Sequence, residues 1–460
     1  MKYLLSFILI VVGLSKTSAQ TDEEVIKSIY DEALTNSPSY ENLRYLSKNV
    51  GHRLAGSVGA AAAVEYTRQL MESYGFDTVF LQPVMVPHWV RGEQEQLRMI
   101  SDFSGTHDLT VTALGNSIGT GDAGISAEVV EVMNFEELEK LGKKKIEGKI
   151  VFFNRHFDNT HINTFRGYGG AVNQRSSGAI EASKYGAIAV VVRSVGSQVD
   201  DIPHTGSLHY ADDIKPIPGV AVSTQDADLL SQTLKKDPNL KVYVRTTSYM
   251  AEMEPSFNVI GQITGSEKPD EYIVVGGHLD SWDLGEGAHD DGAGCIQSID
   301  VLRTLKALGI KPRHSLRAVM FMNEENGLKG GLEYAKVALE KNEKHIIALE
   351  SDRGGFTPRG FTIQDRGHLE LIRSWAPMFA PYGIYEFVPG GGGADIGPMK
   401  NQNTKMLGLL VDSQRYFTLH HTAADVFETV DKRELEMGAA TMTALIYLLD
   451  KYEGETYSSN

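Results

Sequence analysis

The second half of the chain predicts an α/β fold, a largely parallel sheet covered by helices on both faces. Two observations carry this. Short apolar runs recur at Tyr272–Gly276, Leu316–Met322, His345–Leu349 and Met406–Val411, each apolar enough to be a buried strand. Helical stretches at 291–308, 327–340, 367–380 and 432–451 alternate with them. Strand, loop and helix in repeated order place helices over both faces of a sheet.

The elements before this half follow in order. Residues 23–48 and 56–75 carry helical periodicity, and Ala61, Val64, Leu70 and Met71 share one apolar face of the second stretch. Gly75 ends it, and Thr78–Val86 is extended, with Pro83 placing part of it at a sheet edge. From 113 to 247 the texture changes to short β-rich runs, Glu128–Val132, Lys149–Phe153 and Ala187–Val192, with one helix at Ser177–Tyr185 and long loops. No acid and histidine cluster of metal-like spacing falls there. The stretch reads as a separate small α/β module inserted into a main domain of 21–112 and 248–460.

Residues 1–20 read as an export signal. Lys2 is followed by the apolar run Tyr3–Leu14 and by Thr17-Ser18-Ala19, the small residues a signal peptidase accepts. The run is shorter than the ~20 residues that span a bilayer, and no later stretch spans one. The mature chain is therefore expected outside the cytoplasm, periplasmic or secreted. A formal charge of −16 argues against nucleic acid or an anionic membrane surface as partner. The one cysteine, Cys295, excludes an internal disulfide, so core burial and bound metal must stabilise the fold. It is expected to be a small buried residue under the site.

In parallel sheets, sites form beyond the carboxyl ends of the strands. His278 follows one apolar run, Glu324 and Glu325 a second, Asp352 a third, and His421 lies in the loop after a fourth; Asp290 opens a helix. A lone His-x-Asp, Asp-Asp-Gly or Glu-Glu is usually an ordinary pair, turn or solvated surface. Nitrogen and oxygen donors delivered to one edge by several strand ends form a constellation, and it suits Zn²⁺. Five donors serve two ions if one carboxylate bridges. Asp290 is the expected bridge, with His278 and Asp352 on one ion and Glu325 and His421 on the other. Ions so joined share a hydroxide nucleophile and polarise a carbonyl. Asp280 is expected to fix the His278 imidazole, and Glu324 to act as general base and acid.

The segments Gly-Gly-His278-Leu-Asp280-Ser-Trp, Gly-Ala-His-Asp290-Asp-Gly-Ala-Gly, Asn-Glu324-Glu325, Glu-Ser-Asp352 and His-His421-Thr resemble the co-catalytic zinc aminopeptidase and carboxypeptidase family. They are most similar to its plasma glutamate carboxypeptidase (carboxypeptidase Q)-like subgroup, as are Gly51–Ser57 and Val86–Glu93. The resemblance implies a phosphorylase/hydrolase-like αβα sandwich with a mixed, mostly parallel sheet, and a protease-associated α/β domain inserted at 113–247. It implies two Zn²⁺, hydrolysis of dipeptides or release of terminal residues from short peptides, and a fold in which dimers are common. Many aminopeptidase relatives carry a tyrosine just before the last ligand histidine; His420 stands there in this chain, leaving His420 or Tyr416 as oxyanion donor. The glycine-rich run before Asp395 is expected to bring that carboxylate near a substrate amine. Three other readings compete: an aminopeptidase of longer peptides, a single-zinc glutaminyl cyclase, and a catalytically silent scaffold. The intact donor set and Glu324 favour the two-ion peptidase.

Overall fold

The computed structural model describes residues 20–454, so the expected export signal lies, apart from Gln20, outside the described residues. Two eight-stranded sheets organise the chain, with a two-stranded ribbon of Trp89–Val90 and Tyr249–Met250 beside them.

At the centre of the first sheet, the strands His314–Phe321, Lys268–His278, Lys344–Glu350 and Lys405–Val411 lie side by side and parallel. Antiparallel strands flank them, so the sheet is mixed. Glu254–Ile263 and then Thr78–Val86 complete one side, and Pro358–Ile363 with Glu386–Pro389 the other. Pro83 sits in the outermost strand, the place in a sheet where proline is tolerated.

Successive side chains of a strand point to opposite faces, and here both faces are buried. Ile273 and Val275 pack with Cys295, Ile299 and Leu445 on one face. Val274, between them, packs with Val319, Phe321 and Tyr334 on the other. The first face is covered by the helices Asp22–Asn36, Ala293–Ala307 and Lys432–Tyr452, which contact one another. Lys329–Glu340 lies on the second face. The first predicted helical stretch divides at Ser37-Pro38, because proline restricts the residue before it to extended backbone.

The second sheet uses the same logic on a smaller scale. Ile125–Val132, Ile150–Phe153, Ala189–Arg193 and Gly219–Val222 run parallel in that order, and Val151 and Phe153 face one core while Ile150 and Phe152 face another. Its outer strands include Gln96–Ser101 and Gly105–Leu109. Strands from both sides of residue 113 therefore share this sheet, and the change of sheet does not coincide with the boundary expected there. Among the described residues no helix is long and apolar enough to cross a membrane.

Candidate metal centre

The carboxyl ends of the central strands converge on one point. The strand Lys268–His278 ends on His278, whose backbone N–H donates to Asp291 Oδ2 over 3.1 Å. Asp291 Oδ1 accepts from Gly294 N–H, so one side chain ties this strand end to the start of the following helix. Asp290 is pinned from the other direction: the Asp425 carboxylate accepts from the N–H groups of His289 at 2.7 Å and Asp290 at 3.0 Å. Arg53, fully buried, donates to the carbonyls of Leu279, Gly51, Glu286 and Gly287 and staples the surrounding loops.

The donors meet around Asp290. Its Oδ1 lies 3.1 Å from His278 Nε2, which is also 3.5 Å from Asp352 Oδ1. Its Oδ2 lies 3.3 Å from His421 Nε2, which is 3.0 Å from Glu325 Oε2. Two groups of donors are each within 4.8 Å of one another: His278, Asp290 and Asp352, and Asp290, His420 and His421. His278 Nδ1 donates to the Asp280 carbonyl at 3.0 Å, which leaves Nε2 as the lone-pair nitrogen facing the cluster.

The residue chemistry fits divalent cations. Asp290, Glu324, Glu325 and Asp352 supply four carboxylates against three neutralisable imidazoles. Asp290 Oδ2 and Glu325 Oε1 are buried without any hydrogen bond, a costly condition that a cation relieves. Burial pushes the Asp290 carboxyl up, but the flanking His278 and His421 imidazoles outweigh it and hold it well below the usual range. Glu324 is shifted the opposite way: burial, with Asp352 and Glu325 adding to it, raises its carboxyl well above the ordinary value despite His278. Burial would lower His421, yet Glu325 and Asp290 raise it to about 10.

These side chains floor a cavity of about 570 Å³. Glu324 lines it and its carboxylate makes no hydrogen bond among the described residues. Tyr416 also lines it with an unengaged hydroxyl, and burial first, then the Asp290 and Asp352 charges, keeps that hydroxyl protonated. His420 stacks on His421 with ring centres 3.5 Å apart and points Nε2 at Asp290 Oδ2 from 3.7 Å.

Two expectations are corrected. The Asp280 carboxylate does not hydrogen-bond the imidazole; it lies 4.0 Å from Nδ1 and instead accepts from the N–H groups of Asn323, Glu324 and Glu325. It thereby shapes the turn that presents both glutamates. Asp395 does not line the cavity: it is 0 % exposed, behind Glu350, whose carboxylate accepts from Asp395 and Ile396 N–H.

The roof was not anticipated. Phe165, Tyr168, Arg175, Ser207 and His209 reach the cavity from the stretch that carries the second sheet. Arg175 is 7 % exposed; its Nη2 donates to the Tyr168 hydroxyl at 2.8 Å, its Nη1 is 3.4 Å from His421 Nδ1, and its Nε has no partner. No carboxylate pairs with it among the described residues. A lone arginine between glycine-rich helices carries no local signal of this role.

A mixed α/β sheet with carboxylates and imidazoles gathered at the carboxyl ends of its central parallel strands, on the floor of a cavity, has the layout of a metal-dependent hydrolase. Residues 258–446 match the family model described as Peptidase family M28. The chain is 34% identical over 417 residues to carboxypeptidase Q of Bos taurus, covering 90% of this chain and 86% of the relative. The Homo sapiens carboxypeptidase Q is 32% identical over 453 residues, covering 96% and 93%. Among solved structures, a peptidase M28 precursor from Shewanella amazonensis superposes with a TM-score of 0.90 at 32% identity, over 95% of this chain and 99% of that one. A zinc aminopeptidase from Bacillus subtilis shares the fold, with a TM-score of 0.65 at 20% identity over 91% and 96%. The chain belongs to peptidase family M28. It is a zinc-dependent exopeptidase.

Proposed function

We propose that this exopeptidase holds two Zn²⁺ and hydrolyses dipeptides or the terminal residues of short peptides. One observation carries the two-ion reading: the Asp290 carboxylate presents one oxygen to His278 and the other to His421. Asp290 would bridge, with His278 and Asp352 completing one site and Glu325 and His421 the other.

Bound zinc supplies Lewis-acid polarisation of the scissile carbonyl and lowers the pKa of water at the site. The chain's own residues do the rest. Glu324, with a free carboxylate on the cavity wall, takes the proton from the attacking water and returns it to the leaving amine. Tyr416 donates its hydroxyl to the developing oxyanion, and the buried His420, which also lines the cavity, is the second candidate. Arg175 is a buried guanidinium inside the cavity with no counter-ion among the described residues, so a free substrate carboxylate is its natural partner. Held against His421, that carboxylate leaves the adjoining peptide bond over the cluster.

The same reading makes the second-sheet stretch a protease-associated domain that roofs the site, residues 1–20 a cleaved export signal, and the mature enzyme extracytoplasmic. A homodimer belongs to it as well, measured by sedimentation of the purified chain. A panel of dipeptides, longer peptides and amino-acid anilides, each with and without chelator, tests the substrate class. Chelator-sensitive turnover of dipeptides above anilides is expected. Preference for anilides and long peptides would instead mark an aminopeptidase, and one zinc per fully active chain the single-ion alternative.

A further inference from the structure

The two halves of the cluster are supported by different parts of the chain. On the His278 side, every main-chain support among the described residues lies within the first sheet and its loops. His278 N–H donates to Asp291, His278 Nδ1 to the Asp280 carbonyl, and Ser351 N–H to the Gly276 carbonyl. The His421 side draws on the other layer. The strip His204-Thr205-Gly206-Ser207 runs along it and bonds each ligand-bearing loop in turn.

Ser207 Oγ donates to the Glu325 carbonyl at 2.7 Å. Thr205 N–H donates to the His421 carbonyl at 2.9 Å, and the Thr205 carbonyl lies 3.4 Å from His421 Nδ1. His204 donates Nδ1–H to the His420 carbonyl at 2.8 Å; burial holds this imidazole neutral, lowering its pKa to about 3. The strip is itself anchored: His204 N–H donates to Ser194 Oγ, Thr205 Oγ1 to the Ala113 carbonyl, and Leu208 N–H to the Gly115 carbonyl. His421 needs such support, because its φ of 61° is a left-handed conformation that a non-glycine residue holds only where its surroundings impose it. Gly206 permits the approach. A Cβ there would stand 2.4 Å from Arg175 Cζ and 2.6 Å from His421 Nδ1.

We propose that His204–Ser207 is a positioning element for one half of the metal centre, so that the Glu325/His421 site depends on the second layer and the His278/Asp352 site does not. This rests on the two-ion reading. The second layer is then part of the metal site's construction as well as its roof, and loosening the strip releases one ion selectively. Ser207, Thr205 and His204 touch no reacting atom in this account; they act through the main chain of the ligands.

The test is zinc retention by the full-length protein. Zinc-loaded wild type, Ser207→Ala, His204→Gln and Gly206→Ala are equilibrated with graded dipicolinate, and bound zinc per chain is counted by mass spectrometry. Cobalt-substituted samples report the coordination of each site by visible absorption. Loss of outer supports of this kind weakens metal binding about 10–100-fold. The first ion of each variant should therefore leave at least about tenfold more readily than in wild type, with the second unmoved. Ser207→Thr, which keeps the hydroxyl, should restore the wild-type curve, and Ser101→Ala, elsewhere in the second sheet, should not alter it. Both ions weakening together, or neither, in the variants that fold would overturn the proposal while leaving the two-ion reading intact. A wild type that saturates at one zinc would overturn the reading beneath it and this proposal with it.

Discussion

Both eight-stranded sheets have buried apolar interiors, yet among the described residues only the first gathers carboxylates and imidazoles at its strand ends. In the first, the central parallel strands run out into His278, Glu325 and Asp352, one after another along the same edge. In the second, Ile150–Phe153 and Ala189–Arg193 are just as parallel and just as buried, but they end in Asn154, which binds Glu131 and Arg193, and in Arg193, which pairs with Asp228. Those polar ends satisfy one another. Parallel topology therefore builds an edge where a site can form, and the residues at that edge decide whether chemistry happens there. The second layer reaches the chemistry by another route, through Arg175 and Tyr168 on its loops and helices rather than its strand ends.

The division of labour can be broken in order of expected effect. Glu324→Gln removes the proposed proton carrier from the first sheet and should lower kcat by about 10²–10⁴-fold or more with zinc content unchanged. Persisting turnover would place the base elsewhere. Phe152→Ala opens the core of the second sheet alone and should cost about 3–5 kcal/mol of that layer's stability in denaturant unfolding. A single unfolding transition shifted as a whole would show that the layers unfold together.

Arg175→Gln should act on recognition. Losing a charge-assisted hydrogen bond of about 1.5–3 kcal/mol predicts KM for dipeptides up about 10–100-fold, with little change for the corresponding C-terminal amides. Equal loss for acids and amides would remove the carboxylate from the account. The smallest effect lies far from the site. His368 bridges Asp365 at 2.8 Å and Glu453 at 2.9 Å, and Glu453 first, then Asp365, raises its pKa against burial. A raised histidine contributes stability in full below its unfolded value of about 6.5 and loses it as pH climbs through the folded value. Glu453 is shifted down by the same contact, so its share is lost only on acidification below the carboxylate range. His368→Gln should thus cost about 1 kcal/mol or less near pH 6, less still at pH 9, and leave activity alone. A larger cost at pH 9 would reverse the sign.

Much of the first sheet was legible because each donor directly follows an apolar run, and runs of that kind become buried parallel strands. His278, Glu325 and Asp352 follow such runs, His421 lies in the loop after another and Asp290 opens a helix; their side chains lie side by side in the structure. The strands Glu254–Ile263, Pro358–Ile363 and Glu386–Pro389 were not anticipated, since proline, glycine and polar residues interrupt their apolar pattern and their places are set by neighbouring strands. The Asp280 carboxylate was misread because its partners, three consecutive backbone N–H groups, come from a loop over forty residues away. Arg175 and Ser207 were invisible for a deeper reason: their role exists only once one layer docks on the other, and docking leaves no spacing in the sequence.

Crystals of the zinc-loaded enzyme, measured at wavelengths on either side of the zinc absorption edge, address the central claim most directly. The account predicts two anomalous peaks per chain, one on each side of the Asp290 carboxylate. A single peak, or peaks away from Asp290, would contradict it.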